Sequence, residues 1–465
     1  MCPKARLPLA IALPALLAFA APAAAGDPGP AGATLAITDV AVVDVGHGRS
    51  RGPRTVLVAG GRIVAIDAPD RARIPAGAQR LDGRGRFLVP GLVDMHVHLF
   101  NNFSKRPPND WAFPLFVAHG VTGVREMSSR PEAMAQVARW NAEVAAGTRI
   151  APHVLAAGVV VRGDSPAAAA REVVVAADAG AGFIKVFSDL PPAHLPAIVA
   201  AARARSLAVV GHVPARLALR DAAASLRGNE HLMQVFEACS PLEDAMLAQR
   251  RGLAGEALGE LQVAQEARAI AAHSAARCRR VARLLARHRQ AQGPTLVLDA
   301  SPRDGRHAAH PLWPLLRVDE QARWNRILAG LTPDELAAER GRRHVAPRIV
   351  AALHRAGVPL LAGTDAPMPE VYPGASLHDE LRLLVAAGLA PREALRAATL
   401  GAAEFLGIAA DTGSIAVGKR ADLVLLDADP RRDIGNTRRI EAVVLDGRLL
   451  RRADLDALLR PAAVP

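Results

Sequence analysis

The stretch Phe87-Leu-Val-Pro-Gly-Leu-Val-Asp-Met-His-Val-His-Leu99 decides the reading of this chain. Its apolar first half reads as a buried strand, and His96 and His98 close it. Side chains alternate faces along a strand with period two, so two imidazoles one residue apart point the same way. A strand end of this kind presents two nitrogen ligands to one side, which suits a metal ion. His-x-His alone is a weak signal, and its weight comes from the residues downstream of it.

Four more potential ligands each end a short apolar run, at spacings that suit βα units. They are Lys185 in Gly182-Phe-Ile-Lys-Val-Phe187, His212 in Leu207-Ala-Val-Val-Gly-His212, His231 in Gly228-Asn-Glu-His-Leu232, and Asp365 in Pro359-Leu-Leu-Ala-Gly-Thr-Asp365. In a parallel barrel the strand ends converge on one face, so residues far apart in sequence meet around one site.

This ordered set resembles the amidohydrolase superfamily of metal-dependent hydrolases, in particular its binuclear members with a lysine on the fourth strand. Through His-Val-His-Leu, Ile-Lys-Val-Phe, Glu-His-Leu and Ala-Gly-Thr-Asp it is most similar to the imidazolonepropionase-like and Xaa-Pro dipeptidase-like groups. The resemblance implies an α/β fold, a (β/α)8 TIM-type barrel beside a small β-sandwich built from both chain ends. It implies that His96, His98 and Asp365 bind one divalent ion and His212 and His231 another. Lys185 bridges the two as a carbamate made with carbon dioxide.

Composition bears on the lysine independently. Arginine supplies nearly all basic residues, and lysine occurs only at positions 4, 105, 185 and 419. A guanidinium cannot form a carbamate, whereas a neutral lysine amine in a desolvated pocket can, and a buried lysine shifts its pKa readily. Inside an apolar strand an uncompensated ammonium is expensive; the plainer alternative is a strand-end lysine that snorkels to solvent. The remaining histidines, at 47, 119, 153, 194, 273, 288, 307, 310, 344, 354 and 378, read as surface or supporting residues, with His378 singled out as a substrate contact because it comes soon after Asp365.

A mature chain of about 440 residues exceeds one barrel of about 250, which leaves room for insertions and a second small domain. Residues 26–88 and 412–465 carry alternating strand-like runs assigned to the β-sandwich, and residues 89–411 hold the barrel. Within it, strands are expected at Leu92–His96, Val121–Glu126, His153–Val159, Phe183–Phe187, Leu207–His212, Asn229–Leu232, Thr295–Asp299 and Pro359–Thr364. Helices are expected at Pro166–Ala177 with Ser165 as N-cap, at Leu195–Arg205 and at Pro391–Leu406. A helical insertion at about 233–292 reads as an Ala-, Arg- and Leu-rich helix pair above the catalytic face, a lid in one reading and a mere insertion in the other.

The formal charge of +12 invites a nucleic-acid reading. The arginines are scattered, however, and no basic run interleaves with aromatics as a base-stacking surface needs, so no nucleic-acid partner is expected. Lys4 and Arg6 precede an apolar stretch from Leu7 to about Ala21 and an Ala-x-Ala cleavage site, which marks residues 1–25 as a signal peptide and the protein as periplasmic or secreted. No later apolar run reaches the roughly 20 residues of a membrane span. Cleavage leaves Cys239 and Cys278, which an oxidising compartment allows to pair as a disulfide; two buried free thiols are the alternative. Nothing in the sequence marks the quaternary structure, and a homo-oligomer stays open.

The expected chemistry rests on charge. Two divalent ions with nitrogen and oxygen ligands, zinc above all, lower the pKa of a shared water. Asp365, ligand and catalytic residue, moves a proton from that water to the leaving amine. Arg125, Arg162, Tyr372 and His378 stand as substrate-binding candidates for a carboxylate or carbonyl. The favoured small-molecule substrate is an amide, such as a dipeptide or N-acyl amino acid. Hydrolysis of a cyclic amide, imide or lactone is the nearer alternative, and an inactive metal-binding scaffold the alternative of another class.

Overall fold

The computed structural model describes residues 32–48, 50–100, 106–301 and 306–460. The signal peptide expected at residues 1–25 lies outside them. The chain begins with β1 (Leu35–Val43), β2 (Ser50–Ala59), β3 (Arg62–Asp67), β4 (Gln79–Asp82) and β5 (Phe87–Pro90). It continues through β6 (Leu92–Val97), β7 (Val121–Ser129), β8 (His153–Val160), β9 (Phe183–Val186), β10 (Val209–Gly211), β11 (Gly228–Glu230) and β12 (Ala291–Gly293), and ends with β13 (Leu423–Leu426), β14 (Ile440–Leu445) and β15 (Arg448–Arg451).

Strands from both chain ends form one eight-stranded sheet, in the order β15-β14-β13-β5-β1-β2-β3 with β4 on β1. The turn between β2 and β3 is Gly60-Gly61, with φ of 54° and 73°, the left-handed pair a two-residue hairpin needs. One face of this sheet encloses an apolar core of Ile37, Val40, Val56, Val58, Ile63, Leu88, Leu423, Leu425 and Val444. β13 pairs antiparallel with β5, Leu423 opposite Pro90, and so joins the two chain ends directly before β6.

β6 to β12 form a parallel sheet in sequence order. Every residue of β6, β7 and β9 is buried, as expected where helices cover a parallel sheet. The ring closes through residues 359–366, which bridge to both edges: Leu361 N–H donates to Gln292 O at 3.0 Å, and His98 N–H to Ala366 O at 2.8 Å. The fold class read from the sequence is therefore present, with one qualification. The eighth position, expected as strand Pro359–Thr364, is held by isolated bridges rather than a regular strand.

The seventh strand lies elsewhere than the sequence reading puts it. In place of Thr295–Asp299, β12 is Ala291–Gly293, and Leu296–Ala300 is a short helix. Thr295 takes a left-handed φ of 47°, which ends the extended run, and Glu380 accepts from Val297 N–H at 2.8 Å on the first turn of that helix. The stretch Pro391–Leu406 is two helices, Pro391–Ala397 and Leu400–Leu406, broken at Thr399. Ser165 caps the helix Pro166–Asp178 as expected, accepting from Ala168 N–H at 3.2 Å.

The insertion after β11 holds four helices rather than a pair: Val235–Ala238, Glu243–Gln249, Gly255–Ala271 and Ala275–His288. A second helical segment, Val318–Ala329 and Pro333–Arg355, comes after β12. The two pack together, with Arg342 bonded to Glu266 at 3.0 Å and to Asp299 at 2.7 Å. Cys239 and Cys278 are joined as a disulfide, Cα atoms 4.4 Å apart, which ties the insertion's first helix to its last. His273 lies beside them, its ligand atom within 4.8 Å of both sulfurs. Among the described residues no helix is long and apolar enough to cross a membrane.

Candidate metal centre

All six residues singled out in the sequence meet at the carboxyl ends of the barrel strands, the face where such barrels carry their sites. His96 lies in β6 and His98 just beyond it, Lys185 in β9, His212 and His231 directly after β10 and β11, and Asp365 in the closing segment. The ring centroids of His96 and His98 are 5.3 Å apart, those of His96 and His231 4.5 Å, and those of His212 and His231 5.2 Å. Asp365 Oδ1 lies 2.7 Å from His98 Nε2 and 3.0 Å from His96 Nε2.

Close backbone approach builds this cluster. A Cβ on Gly211 would fall 2.2 Å from the Val186 carbonyl and 2.9 Å from Lys185 Cδ, so only glycine lets β10 pass beside the lysine. A Cβ on Gly363 would fall 2.8 Å from that of His96, which brings the closing segment against β6. Asp94, fully buried, ties these two together. Its Oδ1 accepts from His96 N–H at 3.1 Å and Thr364 N–H at 3.0 Å, and its Oδ2 from the Thr364 hydroxyl at 2.6 Å.

The donor set fits divalent cations. His96 Nε2, Lys185 Nζ and both ring nitrogens of His212 are buried without a hydrogen-bond partner. Buried polar atoms left unsatisfied in this way are rare, and here they point into one cluster with a carboxylate. His96, His98 and Asp365 bring ligand atoms within 4.8 Å of one another. His212 and His231 would complete a second position with Lys185, whose Nζ lies 5.1 Å from the Phe187 ring centroid, with that ring 4.9 Å from His212.

Protonation states agree with this chemistry. Burial brings the Lys185 amine down to about 8, against the opposing pull of Glu230 and Asp365, so a neutral amine is accessible near neutral pH. Burial, with Lys185 and His231 adding to it, holds His212 well below its ordinary value, and burial takes His231 to about 3. Burial works against the ionised form of Asp365, yet His98 and His96 outweigh it and hold the carboxyl well below the usual range.

Further contacts surround the cluster that the sequence does not announce. Glu230 Oε2 lies 3.1 Å from His96 Nδ1, and Arg125 donates to Glu230 Oε1 at 2.8 Å. Thr295 Oγ1 lies 2.8 Å from His231 Nδ1 and donates to Pro294 O, so the histidine nitrogen is the donor between them. Glu126 accepts the backbone N–H of Leu99 and that of Ser128.

The four substrate-binding candidates part company. Arg125 is fully buried in its pair with Glu230. Tyr372 is buried too: its hydroxyl donates to the His307 carbonyl at 2.8 Å and its ring stacks on His310. His378 is buried between Thr437 Oγ1 at 2.9 Å and the His119 carbonyl at 3.0 Å. Each of these three side chains is engaged by the fold itself. Arg162 alone stays half-exposed, 3.2 Å from Asp189 and over the face of Phe187, the ring that packs on His212. A hollow of about 750 Å³ near Arg203, Arg227 and Phe405 opens at the opposite, amino ends of the strands and is remote from this cluster.

Residues 87–450 match the amidohydrolase family. This chain belongs to that family. Over 458 residues, 96% of the chain, it is 27% identical to an adenine deaminase of Rhizobium etli, of which the match covers 61%. The first curated relatives are matched over 17% to 61% of their own length. Among solved structures, a bottromycin amidohydrolase superposes with a TM-score of 0.68 at 25% identity, covering 91% of this chain and 88% of that one. A candidate prolidase from Bifidobacterium longum gives 0.62 at 25% identity, covering 91% and 98%.

Proposed function

We propose that this amidohydrolase holds two divalent metal ions and hydrolyses a C–N amide bond, in a dipeptide or an N-acyl amino acid. One observation carries the reading: six ligand-type side chains converge at the carboxyl end of the barrel, with buried nitrogens that nothing in the protein satisfies. The likeness to a bottromycin amidohydrolase and a candidate prolidase supports an amide as substrate.

His96, His98 and Asp365 would hold one ion, and His212 and His231 the other. The ligand set favours zinc. As a neutral amine, Lys185 could add to carbon dioxide and lose a proton, and the resulting carbamate would supply oxygen ligands to the centre. Bound divalent ions supply Lewis acidity and make water nucleophilic at neutral pH. Asp365 accepts the proton that the attacking water releases and returns it to the leaving amine. Arg162, at the edge of the cluster, anchors a substrate carboxylate. The leader-like residues 1–25 and the Cys239–Cys278 bond support export to an oxidising compartment.

The test is hydrolysis of a library of dipeptides and N-acyl amino acids, with adenine included, by zinc-loaded protein, read by mass spectrometry beside Asp365→Asn. Cleavage of an amide by the native protein alone is expected. Release of ammonia from adenine would replace the amide reading with deamination. Silence of a protein that binds two ions would move the substrate class to cyclic imides or lactones.

A further inference from the structure

We infer that Glu230, clamped by Arg125, is a positioning residue that fixes the ring of His96 for metal binding. This rests on the metal-centre reading above. Glu230 is the last residue of β11, directly before His231, and its carboxylate reaches back across the barrel to β6. One oxygen meets His96 Nδ1 at 3.1 Å and the other accepts from Arg125 Nη2 at 2.8 Å. Arg125 is itself fixed, since its Nε donates to the Met95 carbonyl at 2.5 Å and its guanidinium lies 5.7 and 5.3 Å from the ring centroids of Phe183 and Phe405. Arg125 and Glu230 are completely buried and His96 nearly so.

This arrangement dictates where the His96 proton goes. A carboxylate paired with a permanently charged guanidinium only accepts hydrogen bonds, so the shared proton stays on Nδ1. Nε2 then keeps its lone pair and faces Asp365 Oδ1 at 3.0 Å, where a metal ion could lie between them. Histidine ligands characteristically donate their other N–H to a carboxylate or carbonyl, which sets both tautomer and ring orientation. The neighbouring strand is shaped around the same carboxylate. A Cβ on Gly293 would lie 2.4 Å from Glu230 Oε2, so a side chain there would push the carboxylate away from His96.

The test measures affinity for Zn2+ in metal-stripped full-length protein by chelator competition, together with the visible spectrum of the Co2+ form and the unfolding midpoint of the metal-free form. Glu230→Gln removes the charge. Because it strands the Arg125 charge and can fail to fold, two further variants keep the pair: Glu230→Asp withdraws the carboxylate by one methylene, and Gly293→Ala displaces it. Loss of about 10- to 100-fold in affinity for one of two ions is expected, with an altered Co2+ spectrum at an unchanged metal-free midpoint. Native affinity and spectrum in both Glu230→Asp and Gly293→Ala would reduce Glu230 to a structural ion pair and overturn the inference. Native protein that binds no ion, or His96→Ala that binds as native, would instead remove the metal-centre reading on which it rests.

Discussion

The Asp365 carboxylate stands 2.7 Å from His98 Nε2, across 267 residues of sequence. The closing segment delivers it with a left-handed φ of 69°, immediately after the threonine that Asp94 holds. The same oxygen lies 3.0 Å from His96 Nε2, so a single carboxylate faces both histidines at the end of β6. That position suits a ligand and a proton acceptor at once. Asparagine tolerates the left-handed region and keeps the shape, but it cannot take a proton. Asp365→Asn is expected to lower kcat by about 10²- to 10⁴-fold, while circular dichroism and the unfolding midpoint stay native. Native turnover in this variant would end the role of Asp365 as proton shuttle.

His231 depends on a neutral partner. Thr295 reaches it from a backbone with φ of 47°, and its hydroxyl accepts from His231 Nδ1. Thr295→Val keeps the volume and removes the acceptor. Affinity for the ion proposed at His212 and His231 should fall about 10-fold or more, read as the metal retained after dialysis against a graded chelator series.

Glu380 sets a pH dependence. It is fully buried, with one oxygen on Val297 N–H and the other unpartnered, and burial lifts its carboxyl from 4.5 to about 8. A raised carboxyl pKa means that the folded state holds the proton more tightly than the unfolded chain. Its stabilising contribution is complete below the unfolded value and is lost as pH climbs through the folded one. Between about pH 4.5 and 8 this group therefore makes the native protein progressively less stable. Glu380→Gln should flatten that slope, so that the melting temperature of the variant minus that of the native protein rises by at least about 2 °C from pH 5 to pH 8. A constant difference across that range would show that Glu380 does not titrate there.

The Cys239–Cys278 bond closes a loop across a sequence separation of 39. Chain entropy alone assigns such a cross-link about 4 kcal/mol, with measured values often lower. Replacing both cysteines with serine should lower the free energy of unfolding by about 2–4 kcal/mol in urea titrations, with the slope of the transition increased by the more open unfolded chain. Equal stability of the two proteins would mean that the helical insertion is held by packing alone.

The six clustered residues were legible because each ends an apolar run long enough to be read as a strand, and because barrel strands in sequence order bring their ends together. The seventh strand was not legible: Leu296-Val-Leu is as apolar as any strand here, and its helical turn depends on Glu380, 83 residues away. The pairing of Glu230 with Arg125 was hidden for a similar reason. Arg125 reads in sequence as a substrate contact and Glu230 as a neighbour of a ligand, and their relation to His96 exists only once β6, β7 and β11 surround one space. His378 and Tyr372 come soon after Asp365, but the helix Ala375–Ala386 turns the first toward Thr437 and the His119 carbonyl.

A two-ion centre bridged through Lys185 would set the metal content of the protein. Its most direct test is the metal content of zinc-loaded native protein and of Lys185→Ala, measured by elemental mass spectrometry after gel filtration in metal-free buffer supplied with bicarbonate. Two ions per chain in the native protein, falling toward one in Lys185→Ala, is the predicted result. Two tightly held ions in the variant would contradict the carbamate bridge.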